Sequence, residues 1–361
     1  MDELYIGVMS GTSLDGIDIA LCEIKDDSFE LLHSQEYPFD KKLKADILTT
    51  INNKTTLKKI GRLDTRLGHL FAEAINTFLL EKKIKKRMVK AIGLHGQTLW
   101  HEPNAKYPFS MQLGNASVIT ALTNISVVSD FRQKDIAFGG QGAPFAPAFH
   151  QYLFSRLKGN IGVVNIGGMA NLSILGEKTT GYDTGCGNIL MDSWISYKKN
   201  LPFDKNGQWA RLGEVNQKLL DKLLSDKYFL KNPPKSTGRE YFNKNWLQKQ
   251  LEKFIYLSGK DIQATLLELT AKSIAQEVKK TSISLLIVCG GGLKNIQLMK
   301  RLKANLKKIE VVSSDECGIS SEYMEAMAFA WFAYKRIHKE KVKLSSITGA
   351  SKDTILGALY E

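Results

Sequence analysis

The sequence contains few cysteines, and their spacing argues against a disulfide scaffold or a zinc site. Four occur in 361 residues, and no two of them form a C-x-x-C pair or another zinc-binding pattern. We therefore expect reduced, mostly buried thiols. A chain of this length can bury a sizeable core without disulfides or a structural metal. The four positions are Cys22, Cys186, Cys289 and Cys317.

The sequence also lacks the signals that direct a chain into or across a membrane. Its first residues contain neither the positively charged segment nor the apolar segment of a signal peptide. No apolar run approaches the roughly 20 residues that span a bilayer. We therefore expect a cytoplasmic protein that makes no contact with membranes.

Two common nucleotide-binding fingerprints are absent. The sequence contains no G-x-x-x-x-G-K-[ST] motif, which excludes a P-loop enzyme. No G-x-G-x-x-G motif opens a helix after the first predicted strand, so we do not expect a dinucleotide-binding fold. A nucleotide site in this chain would have to be built from other glycine-rich turns.

Basic residues outnumber acidic ones, which gives a formal net charge of +13. The densest basic run, residues 81–87, lies at the end of a predicted helix, where cations interact favourably with the helix dipole. Nucleic-acid binding would require a clustered basic patch, so we expect no nucleic-acid partner. The positive charge instead favours anionic substrates such as nucleotides or acidic sugars.

Strand-like and helix-like segments alternate along the chain, which predicts an α/β fold. Two strand–turn–strand segments are the clearest features, at residues 4–24 and 161–175, and they suggest duplicated lobes. Apolar periodicity predicts helices over residues 63–82, 259–280 and 320–337. A stretch rich in glycine and proline, residues 138–147, predicts a boundary between lobes at 1–138 and 139–361, with the last segment packing back on the first lobe.

Three glycine-rich turns follow predicted strands. Glycine lets backbone N–H groups approach phosphates closely, and hydroxyl side chains add further donors. One such turn alone is usually structural, whereas three at strand ends favour a nucleotide site. The predicted ATP-binding residues are Ser10, Gly11, Thr12, Ser13, Leu14, Asp15, Gly16 and Asp18 in the first turn, Gly167, Gly168 and Asn171 around the second, and Gly290, Gly291 and Gly292 in the third.

Eight short strings, taken together, resemble the signature of the anhydro-N-acetylmuramic acid kinase family. They span nearly the whole chain in the family's order. The strings are MSGTSLDGID at 9–18, HGQT at 95–98, DFR at 130–132, GGQGAP at 139–144, NIGGMAN at 165–171, DTGCGN at 183–188, CGGG at 289–292 and EAMAFA at 325–330. The resemblance implies a two-lobed, actin-like ATPase of the ribonuclease H-like type, with a central cleft.

The resemblance also implies a reaction, cofactors and an assembly. The family uses ATP and Mg²⁺, opens the 1,6-anhydro ring of anhydro-N-acetylmuramic acid with water, and phosphorylates O6. The products are N-acetylmuramic acid 6-phosphate and ADP, in the recycling of cell-wall sugars. A homodimer is also implied. One departure is Cys186, where proline is usual in the family, and we expect it to make the loop more mobile and more easily oxidised.

Ring opening needs a carboxylate that takes a proton from the attacking water, and Asp183 is the best candidate. It precedes a turn of small residues, and it matches the family's proposed base. The alternative is that Asp183 only caps a helix beginning near Asn188. No side chain is identified as a Mg²⁺ ligand. The aspartate that many hexokinase-type relatives carry before the first glycine turn is missing, and Asp15 and Asp18 are possible substitutes.

Four further residues are candidates for the sugar site. Arg132 can form a bidentate pair with the lactyl carboxylate, and His95 and Gln97 can bind hydroxyls or the lactyl group. Glu325, near the start of a predicted helix, can bind a hydroxyl or orient the site. Each also has a structural interpretation: a surface ion pair for Arg132, a satisfied structural group for His95, and an interaction with the helix dipole for Glu325.

Three other functions fit parts of the pattern. An ordinary sugar kinase of the same fold would phosphorylate without opening a ring. A sugar-sensing regulator built on a kinase-like fold would bind DNA, although the first residues leave no room for a helix-turn-helix domain. A chaperone-like ATPase would hydrolyse ATP without any sugar.

Overall fold

The computed structural model describes residues 3–11, 14–25, 28–52 and 55–361. The chain divides into two compact units. Unit 1 comprises Met1–Phe149 together with Tyr323–Glu361, and unit 2 comprises His150–Glu322. Both units combine helices with a mixed sheet, which confirms the α/β prediction. The lobe limits at 1–138 and 139–361 stay a prediction.

Unit 1 contains seven strands and six helices within its described residues, and a further helix begins in it and crosses into unit 2. The strands are β1 (Glu3–Ser10), β2 (Gly16–Lys25), β3 (Ser28–Pro38), β4 (Val89–Glu102), β5 (Phe109–Leu113), β6 (Val127–Ser129) and β12 (Ala358–Tyr360). The helices are α1 (Lys41–Ile51), α2 (Leu57–Glu81), α3 (Ala116–Thr123), α4 (Gln133–Ala137), α5 (Ala146–Phe154), α12 (Met324–Ile337) and α13 (Ser345–Thr348), of which α5 is the one that crosses.

The sheet of unit 1 has the strand order β12-β6-β4-β1-β2-β3, and β5 pairs with β4. β1, β2 and β3 are antiparallel, whereas β4 and β6 run parallel to β1. The predicted first hairpin is therefore confirmed. Helix α2 buries Leu63, Leu67, Phe71 and Phe78 along one face, as its 3.6-residue periodicity predicts.

Unit 2 contains five strands and six whole helices within its described residues. The strands are β7 (Ile161–Ile166), β8 (Met169–Ile174), β9 (Thr180–Cys186), β10 (Leu285–Cys289) and β11 (Glu310–Ser313). The helices are α6 (Ile189–Lys199), α7 (Gln208–Arg211), α8 (Gln217–Leu224), α9 (Lys244–Leu251), α10 (Gly259–Lys279) and α11 (Ile296–Asn305).

The sheet of unit 2 repeats the connectivity of unit 1. Its order is β11-β10-β7-β8-β9, with β7, β8 and β9 antiparallel and β10 and β11 parallel to β7. An antiparallel meander followed by parallel strands on its first edge thus occurs twice, which is the arrangement expected of a duplicated, ribonuclease H-like unit.

Helix α10 is buried around most of its circumference, and it carries the core of unit 2. It begins at Gly259, and the side chain of Ser258 caps it by accepting a hydrogen bond from the backbone N–H of Asp261. The predicted helix limits of 259–280 are therefore accurate to one residue. None of the helices in the described part of the chain is both long enough and apolar enough to cross a lipid bilayer.

Two of the candidate segments lie inside strands of the structure. β4 continues to Glu102, so the string at 95–98 lies inside a strand, because β5 pairs with that part of β4. Likewise Asp183 lies within β9 and does not precede a turn, because β8 pairs with residues 180–186. Cross-strand pairing decides both cases, and it is not visible in the local sequence.

Candidate active site

The first predicted phosphate turn connects β1 to β2 in unit 1. The backbone N–H of Leu14 donates to the carbonyl of Gly11 at 3.2 Å, and Leu14 has a left-handed φ of 61°. Asp15 is exposed and lies 3.8 Å from the ammonium of Lys44, while Asp18 lies in β2 opposite Met9. The predicted residues Thr12 and Ser13 lie outside the described residues.

Ser10, at the end of β1, is fixed by Gln97 of β4. The two residues are opposite each other in the parallel pair, and the Ser10 hydroxyl donates to Oε1 of Gln97 at 2.7 Å. Both side chains are buried. The amide of Gln97 donates to the carbonyl of Thr98. Gln97 therefore holds the end of β1, and its predicted contact with the sugar stays a prediction.

Arg132 and His95, both predicted to bind the sugar, lie within hydrogen-bond distance of each other. The Arg132 Nη2 lies 2.9 Å from Nε2 of His95, and Nη1 donates to the carbonyl of Gly142 at 2.6 Å. Because an arginine only donates, Nε2 of His95 accepts this bond and its proton resides on Nδ1. Burial, together with the charge of Arg132, holds the pKa of His95 well below its ordinary value. His95 is therefore neutral.

Glu325 also belongs to this group. It lies in the first turn of α12, and it is exposed. Burial lowers the pKa of Arg132 to about 10, while the charge of Glu325 acts in the opposite direction. Arg132 is therefore still a cation at neutral pH. A charged arginine beside a neutral imidazole can bind a carboxylate.

Asp135 is a functional candidate that the sequence analysis missed. It is almost fully buried, and its carboxylate accepts bonds from the Gly142 N–H and the Thr348 hydroxyl, both at 2.8 Å. Burial raises its pKa, whereas these bonds lower it. Because the carbonyl of Gly142 holds Arg132, Asp135 fixes the loop that supports the guanidinium. A lone aspartate in a short helix gave no signal of this role.

The second glycine turn, between β7 and β8 of unit 2, is open. A side chain at Gly168 would meet nothing within 4 Å, and one at Gly167 would make only ordinary contact. Their carbonyls accept bonds from the backbone N–H groups of Asn188 and Gly187, both at 2.8 Å. Protein packing therefore does not explain these two glycines, whereas close approach of a ligand does.

The third glycine turn divides into two kinds of position. A Cβ at Gly290 would overlap the side chain of Asn165, and one at Gly292 would overlap Ile166. Gly290 also has a φ of 81°. A Cβ at Gly291 would make only an ordinary contact, since the nearest atom, the amide nitrogen of Asn188, would lie 3.9 Å from it. The sequence assigned all three to the nucleotide, but packing already requires two of them.

Asp183 has hydrogen-bond partners on both carboxylate oxygens. Oδ1 accepts a short bond from the Asn171 amide, directly across the β8–β9 pair, and Oδ2 accepts from the Thr237 N–H at 2.8 Å. The backbone of Asp183 is held as well, since its carbonyl accepts from the Tyr228 hydroxyl at 2.8 Å. Burial raises the pKa of Asp183, although the bonds from Thr237 and Asn171 partly offset this.

The alternative that Asp183 caps a helix does not agree with the structure. Helix α6 begins at Ile189 with Asn188 at its N-terminal cap position, and Asp183 bonds Asn171 and Thr237 instead.

The Thr237 hydroxyl is buried and has no hydrogen-bond partner among the residues described. The sequence analysis did not find Thr237, because it lies in a loop with no periodic pattern.

The residues described contain no group of three or more His, Cys, Asp or Glu side chains arranged to hold a metal ion.

Cys186 is fully buried at the end of β9, and burial raises the pKa of its thiol to about 12. The expectation of an easily oxidised Cys186 is therefore not supported, since thiolate rather than thiol reacts.

Comparison with known proteins identifies close relatives along the whole chain. The family model described as anhydro-N-acetylmuramic acid kinase matches residues 3–361. The protein named anhydro-N-acetylmuramic acid kinase in Sulfurimonas denitrificans is 61% identical, with 100% of both chains covered. Those in a Sulfurovum species and in Pasteurella multocida are 53% and 47% identical, with 99% of this chain covered and 99% and 96% of theirs.

Proposed function

Because the chain belongs to the anhydro-N-acetylmuramic acid kinase family, we propose that it converts anhydro-N-acetylmuramic acid, water and ATP into N-acetylmuramic acid 6-phosphate and ADP. The observation that carries the proposal is the Asp183 carboxylate, which is half-buried, held through both oxygens and raised in pKa. These are the properties of a general base that must stay in place and accept a proton.

In the reaction two bonds between heavy atoms form and two break. Water attacks the anomeric carbon, and its proton passes to the Asp183 carboxylate. The bond from the anomeric carbon to O6 breaks as the new carbon–oxygen bond forms. O6 then bonds to the γ-phosphorus of ATP, and the bond from that phosphorus to the β-phosphate oxygen breaks, which releases ADP. Phosphoryl transfer itself depends mainly on alignment and charge neutralisation.

We assign ATP binding to the three glycine turns. The open positions Gly167, Gly168 and Gly291 admit close approach of a ligand, and the Ser10 hydroxyl is fixed by Gln97. The remaining residues of this assignment are Gly11, Thr12, Ser13, Leu14, Asp15, Gly16, Asp18, Asn171, Gly290 and Gly292. Among these, Asn171 acts through its bond to Asp183, and Gly290 and Gly292 act by keeping the turn in shape.

We assign the sugar site to Arg132, His95, Glu325 and Gln97. The lactyl carboxylate of the substrate is an anion, and Arg132 is a cation whose position is fixed by two hydrogen bonds. His95 is neutral, so it carries no second positive charge that would draw the carboxylate away from Arg132. Glu325 is exposed and can accept a bond from a sugar hydroxyl.

Mg²⁺ fits this site as an ion carried by ATP rather than one held by a protein cage. Mg²⁺ typically keeps several waters and binds one or two carboxylates together with the substrate phosphates. The lack of a three-ligand cluster among the described residues agrees with that mode. Asp18, in β2 next to the first turn, is the carboxylate that we assign to this role. The bound ion would neutralise charge on the phosphates.

We further propose that the protein is cytoplasmic and forms a homodimer, as expected for its family.

An isotope-labelling experiment tests the proposed reaction. The enzyme is incubated with ATP and anhydro-N-acetylmuramic acid in ¹⁸O-labelled water, and the product is analysed by mass spectrometry. Label at the anomeric hydroxyl is expected. A phosphorylated product that keeps its anhydro ring would reject ring opening and leave an ordinary sugar kinase. ATP turnover without sugar would indicate an ATPase instead.

A further inference from the structure

A buried ion pair lies next to the proposed base in unit 2. The ammonium of Lys235 is 2.9 Å from Oε1 of Glu277, and both side chains are almost fully inaccessible to solvent. Glu277 belongs to α10, the central helix of the core. Burial raises the pKa of Glu277, but hydrogen bonds from Lys280 and Lys235 outweigh burial and lower it below its ordinary value. The carboxylate is therefore charged.

The backbone of Lys235 is joined to the strand that carries Asp183. The Asp183 N–H donates to the carbonyl of Lys235 at 3.1 Å. Two residues further along the chain, the Thr237 N–H donates to the Asp183 carboxylate at 2.8 Å. Lys235 thus holds the start of a short segment, residues 235–237, and the backbone N–H at the end of that segment bonds the Asp183 carboxylate.

A second path leads from Lys235 to the same residue. Its ammonium lies 5.4 Å from the centre of the Tyr228 ring, and the Tyr228 hydroxyl donates to the carbonyl of Asp183. The side chain of Lys235 is therefore fixed by an anion on one side and an aromatic face on the other. Removing the ammonium would loosen both the segment of residues 235–237 and the ring.

From this geometry we infer that Lys235 and Glu277 are positioning residues, which fix the orientation of the Asp183 carboxylate from the core helix α10. An isolated buried ion pair is weak evidence for stability, because desolvation offsets the attraction between the charges. A role in orientation explains why the pair is built beside Asp183. The inference rests on the proposed function, since it assumes that Asp183 is the base.

The effect should be visible in the pH dependence of turnover. The Thr237 N–H stabilises the ionised form of Asp183, so losing this bond raises the pKa of that carboxyl. A hydrogen bond to a charged group is worth about a tenfold change in a protonation constant, which is about one pH unit. The other charged group acting on Asp183 is Glu240, which already raises its pKa and is unchanged by these substitutions.

The experiment compares kcat/KM against pH for the full-length enzyme, with anhydro-N-acetylmuramic acid and ATP as substrates. In Lys235→Met, the acid limb is expected to move upward by about one pH unit, and kcat at neutral pH to fall about tenfold. Lys235→Met with Glu277→Gln removes both charges, so no unpaired ion is left in the core, and it should shift likewise. Glu277→Asp keeps both charges but shortens the anchor, and it should give a smaller shift in the same direction.

Lys280→Met is the matched control. Lys280 bonds the same Glu277 oxygen at 2.8 Å, but its side chain is half-exposed. Its acid limb should stay at the wild-type position. Wild-type acid limbs in Glu277→Asp and in the double variant would overturn the inference. Failure of the proposed function is distinguishable, because it would show as near-normal turnover in Asp183→Asn.

Discussion

Gly7 and Gly93 lie opposite each other on the parallel strands β1 and β4, and both are covered by the backbone of α12. A Cβ at Gly7 would overlap the carbonyl of Ala326, and one at Gly93 would overlap the carbonyl of Phe329. The pair of glycines therefore forms a flat site on which the helix rests. Glu325, at the beginning of the same helix, is placed beside Arg132 by this contact.

Gly93→Ala should destabilise the enzyme by about 3 kcal/mol or more. The added methyl group would meet backbone atoms that cannot rotate away, so α12 must shift from the sheet. Gly61→Ala is the control, since Gly61 lies in α2 with open space around it and alanine favours a helix by up to about 1 kcal/mol. Thermal and urea denaturation measure both. A Gly93→Ala protein with unchanged stability would contradict the close packing.

Asp183→Asn should reduce kcat by about 10²–10⁴-fold, because an amide cannot take the proton of the attacking water. The amide is nearly the same size, and the fold should be retained. Affinity for ATP, measured by isothermal titration calorimetry, should change little. Asp221→Asn, an exposed change in helix α8 of the same unit, is the matched control. Turnover near the wild-type rate in Asp183→Asn would exclude this residue as the base.

The activity should fall as the pH decreases through a pKa above the ordinary value of an aspartate. Burial raises the pKa of Asp183, and only the ionised carboxylate accepts a proton, so activity is retained above this pKa and lost below it. In Asn171→Ala one bond to the ionised form is missing, which raises the pKa further. The acid limb of kcat/KM should then move to higher pH. Ser173→Ala, on the same strand but bonded to His150, should leave it in place.

Arg132→Lys should raise the KM for the sugar at least about tenfold and leave the KM for ATP nearly unchanged. The guanidinium bonds the Gly142 carbonyl and the His95 ring at the same time, and a single ammonium cannot reproduce that geometry. Steady-state kinetics with each substrate varied in turn provide the measurement. Lys134→Met, which changes an exposed cation two residues away, is the control. A KM for the sugar that stays at the wild-type value in Arg132→Lys would contradict the assignment of Arg132 to the carboxylate of the substrate.

A thiol reagent should modify Cys317 in the native enzyme and leave Cys186 unmodified. Cys186 is fully buried and has a pKa of about 12, whereas Cys317 is partly exposed, with a pKa that burial raises less strongly. Peptide mapping after brief alkylation would identify the modified thiols, and denaturant should expose all four cysteines. Rapid labelling of Cys186 in the folded protein would show that the end of β9 opens readily.

The sequence predicts the fold best where apolar residues are periodic. The hairpins and α10 lie close to their predicted limits because each buries an apolar face. Helix α2 begins six residues before its predicted start at 63, because residues 57–62 contain no fully buried apolar side chain. β9 was not predicted, since its sequence TGYDTGC has two glycines and little alternation. It is a strand because β8 offers it a partner. Pairing of this kind depends on the tertiary structure, which a local pattern does not contain.

The candidate site divides in a similar way. Asp183 and Arg132 could be identified from residue type and the family resemblance. Their partners could not: Thr237 reaches Asp183 from 54 residues further along the chain, and Asp135 acts through a backbone N–H. The glycines at 290–292 also show the limit. Sequence gives three equivalent residues, and only their surroundings separate those that packing requires from the open one.

The division of the chain into units has a consequence for synthesis. Unit 2 is one continuous stretch, whereas unit 1 also contains Tyr323–Glu361, which leaves the ribosome after all of unit 2. All of unit 2 therefore emerges before α12 is available, and the flat glycine site on β1 and β4 remains uncovered until residues 324–337 have been synthesised. A nascent chain arrested before α12 would contain every residue of unit 2 but an unfinished first sheet, and such exposed sheet surface is what molecular chaperones bind.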